Sequence, residues 1–399
     1  MTWTDRQLET IKLRNTNILV SAAAGSGKTA VLIERIKQLV LMDGVDVDRI
    51  LVVTFTKAAA SEMKEKLIQS LNKAVRVTPA QGERLRNQLD RIPRANISTF
   101  HSFALELIRR YFHLIDLDPG FKVCDEAESK LMKADAMDLV FEELFEQDEA
   151  QFKGYIDRYA SPKNEIELKK NLIGFYDKIR SIPEPFQWLD WAVNELGQPE
   201  ESFESSSMLE MIKDLVLDKM ATAEESMGKA LKLLEENDIG QTATLCRQDL
   251  EWIESIRESI RNNAWEEARL SIFGFKPNTM TVSKANRENY EPIKEHVKGF
   301  RDRAKDIIRK ELLPKFFSAS LSEFFADMKE TYPQARVTQR ILLMYHERYN
   351  GIKRQKSLLD FSDIEHFAIE ILKNPTASHE YRSKFQYIFI DEYQDSNLL

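Results

Sequence analysis

Ala22-Ala-Ala-Gly-Ser-Gly-Lys-Thr29 is the stretch whose reading decides the fold. It follows the apolar run Ile18-Leu19-Val20 and leads into Ala30-Val-Leu-Ile-Glu-Arg-Ile36, which predicts a buried strand, a tight turn and a helix opening directly from that turn. This is the context of a phosphate-binding loop. The backbone N–H groups of such a loop point at the anion, and the positive end of the following helix reinforces them. Gly25 and Gly27 allow the close approach and the unusual dihedrals that a residue with a Cβ resists. Lys28 is expected to reach the β- and γ-phosphates of ATP, and the Thr29 hydroxyl to bind Mg²⁺. Ala22 stands where the general pattern has its first glycine, and Ala23, Ala24 and Ser26 complete the cradle. The bland alternative is a glycine turn between an ordinary strand and helix.

Outward from the loop, Arg49-Ile-Leu-Val-Val-Thr-Phe55 is a continuous apolar run rich in branched residues, as a central parallel strand requires. Lys57 to Leu67 then has helix-forming composition. A third strand is predicted at 95–98, followed by Thr99-Phe-His-Ser-Phe103 and a helix over 104–112. Before the loop, Trp3 to Ile11 reads as a short helix in which Thr4 and Gln7 have capping-box spacing. Alternating strands and helices predict a doubly wound α/β sheet, whose ligands bind outside the carboxyl ends of the strands.

From about Phe121 to Ser357 the character changes. Leu131, Ala134, Phe141, Leu144 and Phe145 recur at helical spacing, and 337–349 predicts a further amphipathic helix with Gly351 beyond its end. Pro162, Pro183, Pro185, Pro199, Pro277 and Pro333 punctuate the helices. A connection of this length is not a loop of a compact sheet, so a mostly α-helical domain is expected, inserted into the first. Trp188, Trp191, Trp252 and Trp265 are expected as core anchors. The basic stretch 284–310 fits a solvated helix face or a phosphate-tracking surface equally well.

The chain has 399 residues, 43% hydrophobic and 31% charged, room for two or three domains of an ordinary globular protein. No apolar run approaches the roughly 18 residues of a membrane span, and no basic-then-apolar leader opens the sequence, so no membrane association and a cytoplasmic location are expected. The net charge of −8 excludes nucleic-acid binding by overall charge. A local basic groove stays open, because fields reach only about 8–10 Å at physiological salt. Cys124 and Cys246 lack metal-type spacing and are expected to be reduced, packed thiols.

The chain returns to the sheet through Leu359-Asp-Phe-Ser-Asp-Ile364 and reaches Gln386-Tyr-Ile-Phe-Ile-Asp391-Glu-Tyr-Gln-Asp-Ser-Asn397. Five strand-forming residues thus deliver two carboxylates to the carboxyl edge. Asp391 suits a metal held through water, and Glu392 is placed to polarise a nucleophilic water as general base. Adjacent strand residues point in different directions, which separates the two tasks.

Taken together, the phosphate loop, Thr54-Phe-Thr56 with Ala59 and Glu62-Met63, Thr99-Phe-His-Ser-Phe103 and Asp391-Glu-Tyr-Gln-Asp-Ser-Asn397 resemble the early motifs of superfamily 1 helicases of the UvrD/Rep type. Trp3 to Gln7, the alanine-rich loop, the segment 114–121 and the long helical insert look most like the AddA-type helicase–nuclease branch. The resemblance implies a P-loop NTPase (RecA-like) parallel sheet: residues 1–122 as the first part of a motor domain, 123–356 as the helical insert, and 357–399 as its second part. It also implies that Gln7 contacts adenine and Gln394 links the γ-phosphate to DNA. Phe55 would stack on a base of single-stranded DNA, with Thr54, Thr99 and His101 along its backbone. Lys57-Ala58 stands where the family often has Asn-Lys, and Ser396 replaces a common Thr.

The activity implied is an ATP-dependent 3′ to 5′ DNA helicase with exonuclease activity, processing double-strand breaks for recombinational repair. Single- and double-stranded DNA and an AddB-like second subunit would be its partners. A second motor domain and the nuclease are expected beyond residue 399, so these residues alone are expected to bind nucleotide weakly and to hydrolyse it slowly or not at all. A UvrD/Rep-like helicase without a nuclease, a non-motor DNA-binding scaffold with a relic ATPase fold, and a small-molecule kinase are the competing readings.

Overall fold

Branched apolar residues crowd β1 (Ile50–Thr54), and every one of its positions is buried, as a strand covered on both faces demands. The structure is a computed structural model describing residues 3–23, 25–77, 79–147, 150–160, 164–199 and 205–395. In it β1 lies between two parallel neighbours, β2 (Asn96–Thr99) and β5 (Tyr387–Ile390). Val53 stands opposite Ser98 on one side and Ile390 on the other, and Thr54 stands opposite Thr99. The three carboxyl ends are therefore flush.

Helices cover this sheet. α1 (Asp5–Lys12) opens on a complete capping box between Thr4 and Gln7, and α2 (Lys28–Leu41) begins at the lysine of the phosphate loop. α3 (Lys57–Val77) and α4 (Gly82–Arg91) follow β1, and α5 (Phe100–Tyr111) follows β2. Ile33, Ile36, Leu39 and Val40 of α2 and Ala60, Met63, Leu67 and Leu71 of α3 recur at three- and four-residue steps. They close one cluster with Ile50, Val52 and Ile97 of the sheet. Each fully buried Leu or Ile there stabilises the fold by about 1.5–3 kcal/mol.

One sequence expectation fails at the entrance to the loop. Residues 18–20 form no strand, and Leu19 and Val20 are 78% and 45% exposed. A branched run becomes a strand only when a neighbour accepts its ladder hydrogen bonds. The described sheet ends at β5, and no ladder joins residues 18–20 to its open edge.

The chain leaves the sheet through the two-residue β3 (Lys122–Val123) and returns through β4 (Leu358–Leu359), which pair in parallel. The Lys122 N–H donates to Ser357 O and the Cys124 N–H to Leu359 O, both at 2.9 Å. Between these points lie α6 (Glu126–Glu146), α7 (Ala150–Tyr159), α8 (Glu165–Ile179), α9 (Pro185–Leu196), α10 (Ser207–Glu236), α11 (Gly240–Arg261), α12 (Trp265–Gly274), α13 (Lys294–Asp306) and α14 (Leu321–Gln355). Two compact units result, residues 1–185 with 342–399, and residues 186–341.

Pro333 and Gly351 both lie inside α14; the expected break and end do not occur there. An interior proline costs a helix roughly 3 kcal/mol, and packing of Phe325 and Met328 below it and of Val337 and Ile341 above it keeps the helix continuous. In the second unit Trp265 stacks on Phe317 at 4.7 Å and Trp252 meets Phe275 edge-on at 5.4 Å, both in the core. Arg301 of the basic stretch turns inward to the fully buried Asp249 at 2.7 Å, and Arg309 donates to Phe275 O. Lys294 and Lys310 pair with Glu291 and Asp306. Cys124 and Cys246 are free and buried, as expected.

In the first unit, α15 (Phe361–Lys373) opens on a second capping box, Asp360 with Asp363, and α16 (Pro375–Lys384) follows it. Both carboxylates are buried, and Lys353 bridges them, 3.1 Å from Asp360 and 2.5 Å from Asp363. Arg180 lies 3.3 Å from the other oxygen of Asp363. Burial, then the charges of Arg180 and Lys353, drive the neighbouring His346 down to about 3, so it stays neutral. Burial also pushes the Asp360 carboxyl up, but Lys353, the Asp363 N–H and the Tyr349 hydroxyl outweigh it and hold the pKa below the ordinary 3.8.

Replacing Lys353 by Met leaves two buried carboxylates short of a counter-charge, and we expect a loss of about 3–5 kcal/mol in urea denaturation at neutral pH. A depressed folded pKa stabilises above the unfolded value and ceases to as pH falls through the folded one. The difference between wild type and variant should therefore shrink below about pH 4; a constant difference down to pH 2 would contradict it.

Candidate functional site

Gly25 and Gly27 adopt φ of +78° and +82°, the left-handed region in which a Cβ costs about 1–2 kcal/mol. These two reversals fold the loop back so that α2 starts at Lys28. The first N–H groups of a helix have no intrahelical acceptor, which leaves those at the start of α2 for a ligand. The Lys28 ammonium donates to Ala22 O at 2.9 Å, inside the curl. Ala24 lies outside the described residues. Gln7 fills two roles: its Oε1 accepts from the Thr4 N–H at 2.9 Å as a cap, and its Nε2 donates to Ser26 O at 3.2 Å. The capping helix and the phosphate loop are thus joined through one side chain.

Across the sheet the Asp391 N–H donates to Val53 O at 2.9 Å, extending the β5 ladder by one residue. Burial and then the Glu392 carboxylate push the Asp391 pKa up, while the Glu392 N–H and the Lys28 ammonium oppose them. Lys28 and Asp391, at opposite ends of the sequence, therefore act on each other at the carboxyl edge. Thr29, half-buried, is the next residue of the same helix turn. Glu392 sits at φ +53°, an uncommon backbone state for a residue with a side chain. That single reversal turns its carboxylate away from the strand direction, where Gln394 donates to it. Ser396 and Asn397 lie outside the described residues.

The neighbouring strand ends carry the other sequence candidates, and the structure divides them. Phe55, next after β1, is 63% exposed. His101 opens α5, its ring edge-on to Phe361 at 5.2 Å and its Nε2 3.3 Å from the Glu365 carboxylate. Thr54, by contrast, is fully buried, and its hydroxyl donates to Thr56 O at 3.0 Å. Thr99 is buried as well and caps α5, accepting from the Ser102 N–H. Both threonine hydroxyls are spent on shaping the strand ends, because a buried polar group must be satisfied locally. The Phe361 and Glu365 neighbours of His101 were not singled out from the sequence. Their signal lay in the short Asp-Phe-Ser-Asp turn that starts α15.

A glycine loop feeding a helix at the carboxyl edge of a parallel sheet, with an aspartate at the end of β5 that feels the charge of the loop's lysine, defines a P-loop nucleoside triphosphatase fold. Within that class the chain belongs to the UvrD/REP helicase N-terminal domain family, which matches residues 3–399. It is 36% identical over 401 residues to an ATP-dependent helicase/nuclease subunit from Alkaliphilus oremlandii, covering 100% of this chain and 33% of that protein. The proteins of the same name from Alkaliphilus metalliredigens and Thermoanaerobacter sp. strain X514 are 34% and 36% identical, again over 100% of this chain and 33% of theirs. The chain spans about a third of the length of these relatives. Among the described residues no helix is long and apolar enough to cross a membrane.

The raised Asp391 pKa has a measurable consequence. Its folded value exceeds its unfolded one, so the free fold loses stability as pH rises through that interval. Asp391→Asn should raise the thermal midpoint of the nucleotide-free chain near pH 7 and remove that part of its pH dependence; an unchanged or lower midpoint would show the carboxylate is not held at a cost.

Proposed function

We propose that this chain is the ATP-binding amino-terminal part of an ATP-dependent DNA helicase–nuclease. In its complete form it would move 3′ to 5′ along one strand, carry exonuclease activity, and process double-strand breaks for recombinational repair beside an AddB-like second subunit. Residues 1–122 and 357–399 would form the motor domain and 123–356 its helical insert. The observation that carries the reading is the shared edge, where the Lys28 charge acts on Asp391 at the end of β5 while Phe55 stands exposed at the end of the central strand β1.

The residues fit a magnesium nucleotide. A hydroxyl, Thr29, and a carboxylate, Asp391, are the hard oxygen donors that Mg²⁺ takes, and the glycine reversals leave the α2 N–H groups open to phosphate. Bound Mg²⁺ would offset the charge that develops on the transferred phosphoryl group. The chain does the rest. Gln7 contacts adenine from its position on Ser26, with Ala22, Ala23, Ala24 and Ser26 lining the loop. Lys28 leaves the loop carbonyls for the β- and γ-phosphates. Glu392 acts as general base on the attacking water, and Gln394, here hydrogen-bonded to Glu392, links the γ-phosphate to bound DNA.

Phe55 offers a stacking face to any base, which suits a motor indifferent to sequence. His101, beside Phe361, lies along the DNA backbone. Thr54 and Thr99 serve this surface by holding the strand ends in shape.

Two substitutions test the reading. Lys28→Ala should weaken binding of a fluorescent magnesium adenine nucleotide by about tenfold to a hundredfold, the worth of lost charge-assisted hydrogen bonds. Phe55→Ala should weaken single-stranded oligonucleotides of differing sequence alike, by about 1–3 kcal/mol per lost stack, with nucleotide affinity intact. A Lys28→Ala chain that binds nucleotide as the wild type does would overturn the proposal.

A further inference from the structure

Arg35 lies on the buried face of α2 and is 6% exposed. A guanidinium is seldom placed there without a task, since its desolvation must be offset by hydrogen bonds and charge. Its Nη1 donates to the backbone carbonyl of Thr10 in the last turn of α1. Its Cζ stands 5.9 Å from the ring centre of Phe389 on β5, within the range of a cation–π contact. One buried cation on α2 therefore ties that helix to α1 and β5, and each of the three carries one part of the nucleotide site.

We infer that Arg35 is the positioning residue that holds Gln7, Lys28 and Asp391 in one frame, so that the adenine contact and the phosphate contacts are made together. The inference rests on the nucleotide-site reading above and deepens it. α1 has eight residues, too few to be stable alone, and its last carbonyls lack intrahelical partners. Arg35 satisfies one of them. Arg14 satisfies others, donating to Ile11 O at 2.7 Å and Leu13 O at 3.0 Å while it pairs with Asp43 at 2.5 Å. Gln7 is one helical turn from Thr10, so the Arg35 bond fixes how far the Gln7 amide reaches over Ser26.

On the other side, Tyr387, Phe389 and Asp391 share a face of β5, because strand side chains alternate. Arg35 lies two turns along α2 from Lys28, about 10 Å, and Phe389 lies two residues back from Asp391, about 7 Å. The Arg35–Phe389 contact is thus the layer beneath Lys28 and Asp391. It sets the slide of α2 along β5, and reacting groups lose heavily from displacements as small as about 1 Å.

The test is base discrimination, which general loss of stability does not alter. Equilibrium binding of fluorescent magnesium ATP and GTP analogues is measured for the wild type, for Arg35→Met, which keeps the stem but deletes the donors, and for Arg35→Lys, which keeps one donor. The wild type should prefer ATP. Arg35→Met should weaken both nucleotides, because the phosphate contacts move with α2, and should weaken ATP about tenfold more than GTP, the scale of one charge-assisted hydrogen bond. Arg35→Lys should keep part of the preference and stands as the readout if Arg35→Met does not fold. A folded variant with the wild-type ATP-to-GTP ratio overturns the Arg35 role while leaving the nucleotide site in place. A wild type that binds both nucleotides alike removes the Gln7 contact and this inference with it, and one that binds neither removes the site itself.

Discussion

The hydrogen bond from the Asp391 N–H to Val53 O is the constraint on which the site depends. It is the last rung of a parallel ladder in which Val52 faces Ile97 on one side and Phe389 on the other. A slip of two residues would keep every side chain on its face yet shift Asp391 about 7 Å along the sheet from its present place. A slip of one would invert the faces. The second is forbidden by pattern, since Tyr387 and Phe389 pack on the α2–α3 cluster while Ile388 and Ile390 face outward. The first is opposed at the lower end, where the Gln386 N–H bonds to Arg49 O and the Arg49 side chain to Ser383 O.

Around that ladder the local rules of folding are broken in a small area. Two glycines are left-handed, a glutamate joins them, and an aspartate is held where ionisation is disfavoured. Of these departures the left-handed glutamate costs of order 1–3 kcal/mol, whereas glycine takes up the same backbone state almost freely. They persist because the clusters on either side are closely packed. Meanwhile Thr54 and Thr99 spend their hydroxyls on local bonds, a division between groups that support the edge and groups that face outward from it.

Much of this was legible in the sequence. The loop composition placed a helix opening from the phosphate loop, two residues beyond its actual start at Lys28, because positive φ and a helix N-terminus each leave a mark in local sequence. The ends of β1 and β5 were equally plain, since an apolar run that stops at a polar residue marks a sheet edge. Whatever depended on a distant partner was hidden. Residues 18–20 have strand composition but no described neighbour to pair with. Pro333 and Gly351 carry breaker chemistry that tertiary packing overrides. Nothing in the sequence marks Arg35, because its partner is the main-chain carbonyl of another helix, to which no residue type corresponds. The local bonds of Thr54 and Thr99 were hidden for a similar reason: a hydroxyl at a strand end looks the same whether it faces solvent or its own backbone.

The pairing of Lys122–Val123 with Leu358–Leu359 places the departure and the return of the chain on adjacent strands, about 4.8 Å apart. From the standpoint of the sheet, everything between those two points closes a gap hardly wider than a hairpin's. Loop-closure entropy grows only slowly with length, so residues 186–341, which form a unit of their own, can lengthen or shorten at little entropic cost to the sheet, while Arg180 and Lys353 must stay to neutralise Asp360 and Asp363. Such a doorway lets one sheet accept accessories of very different size, and it tells the engineer where a foreign module could be grafted while the β1–β5 ladder goes undisturbed.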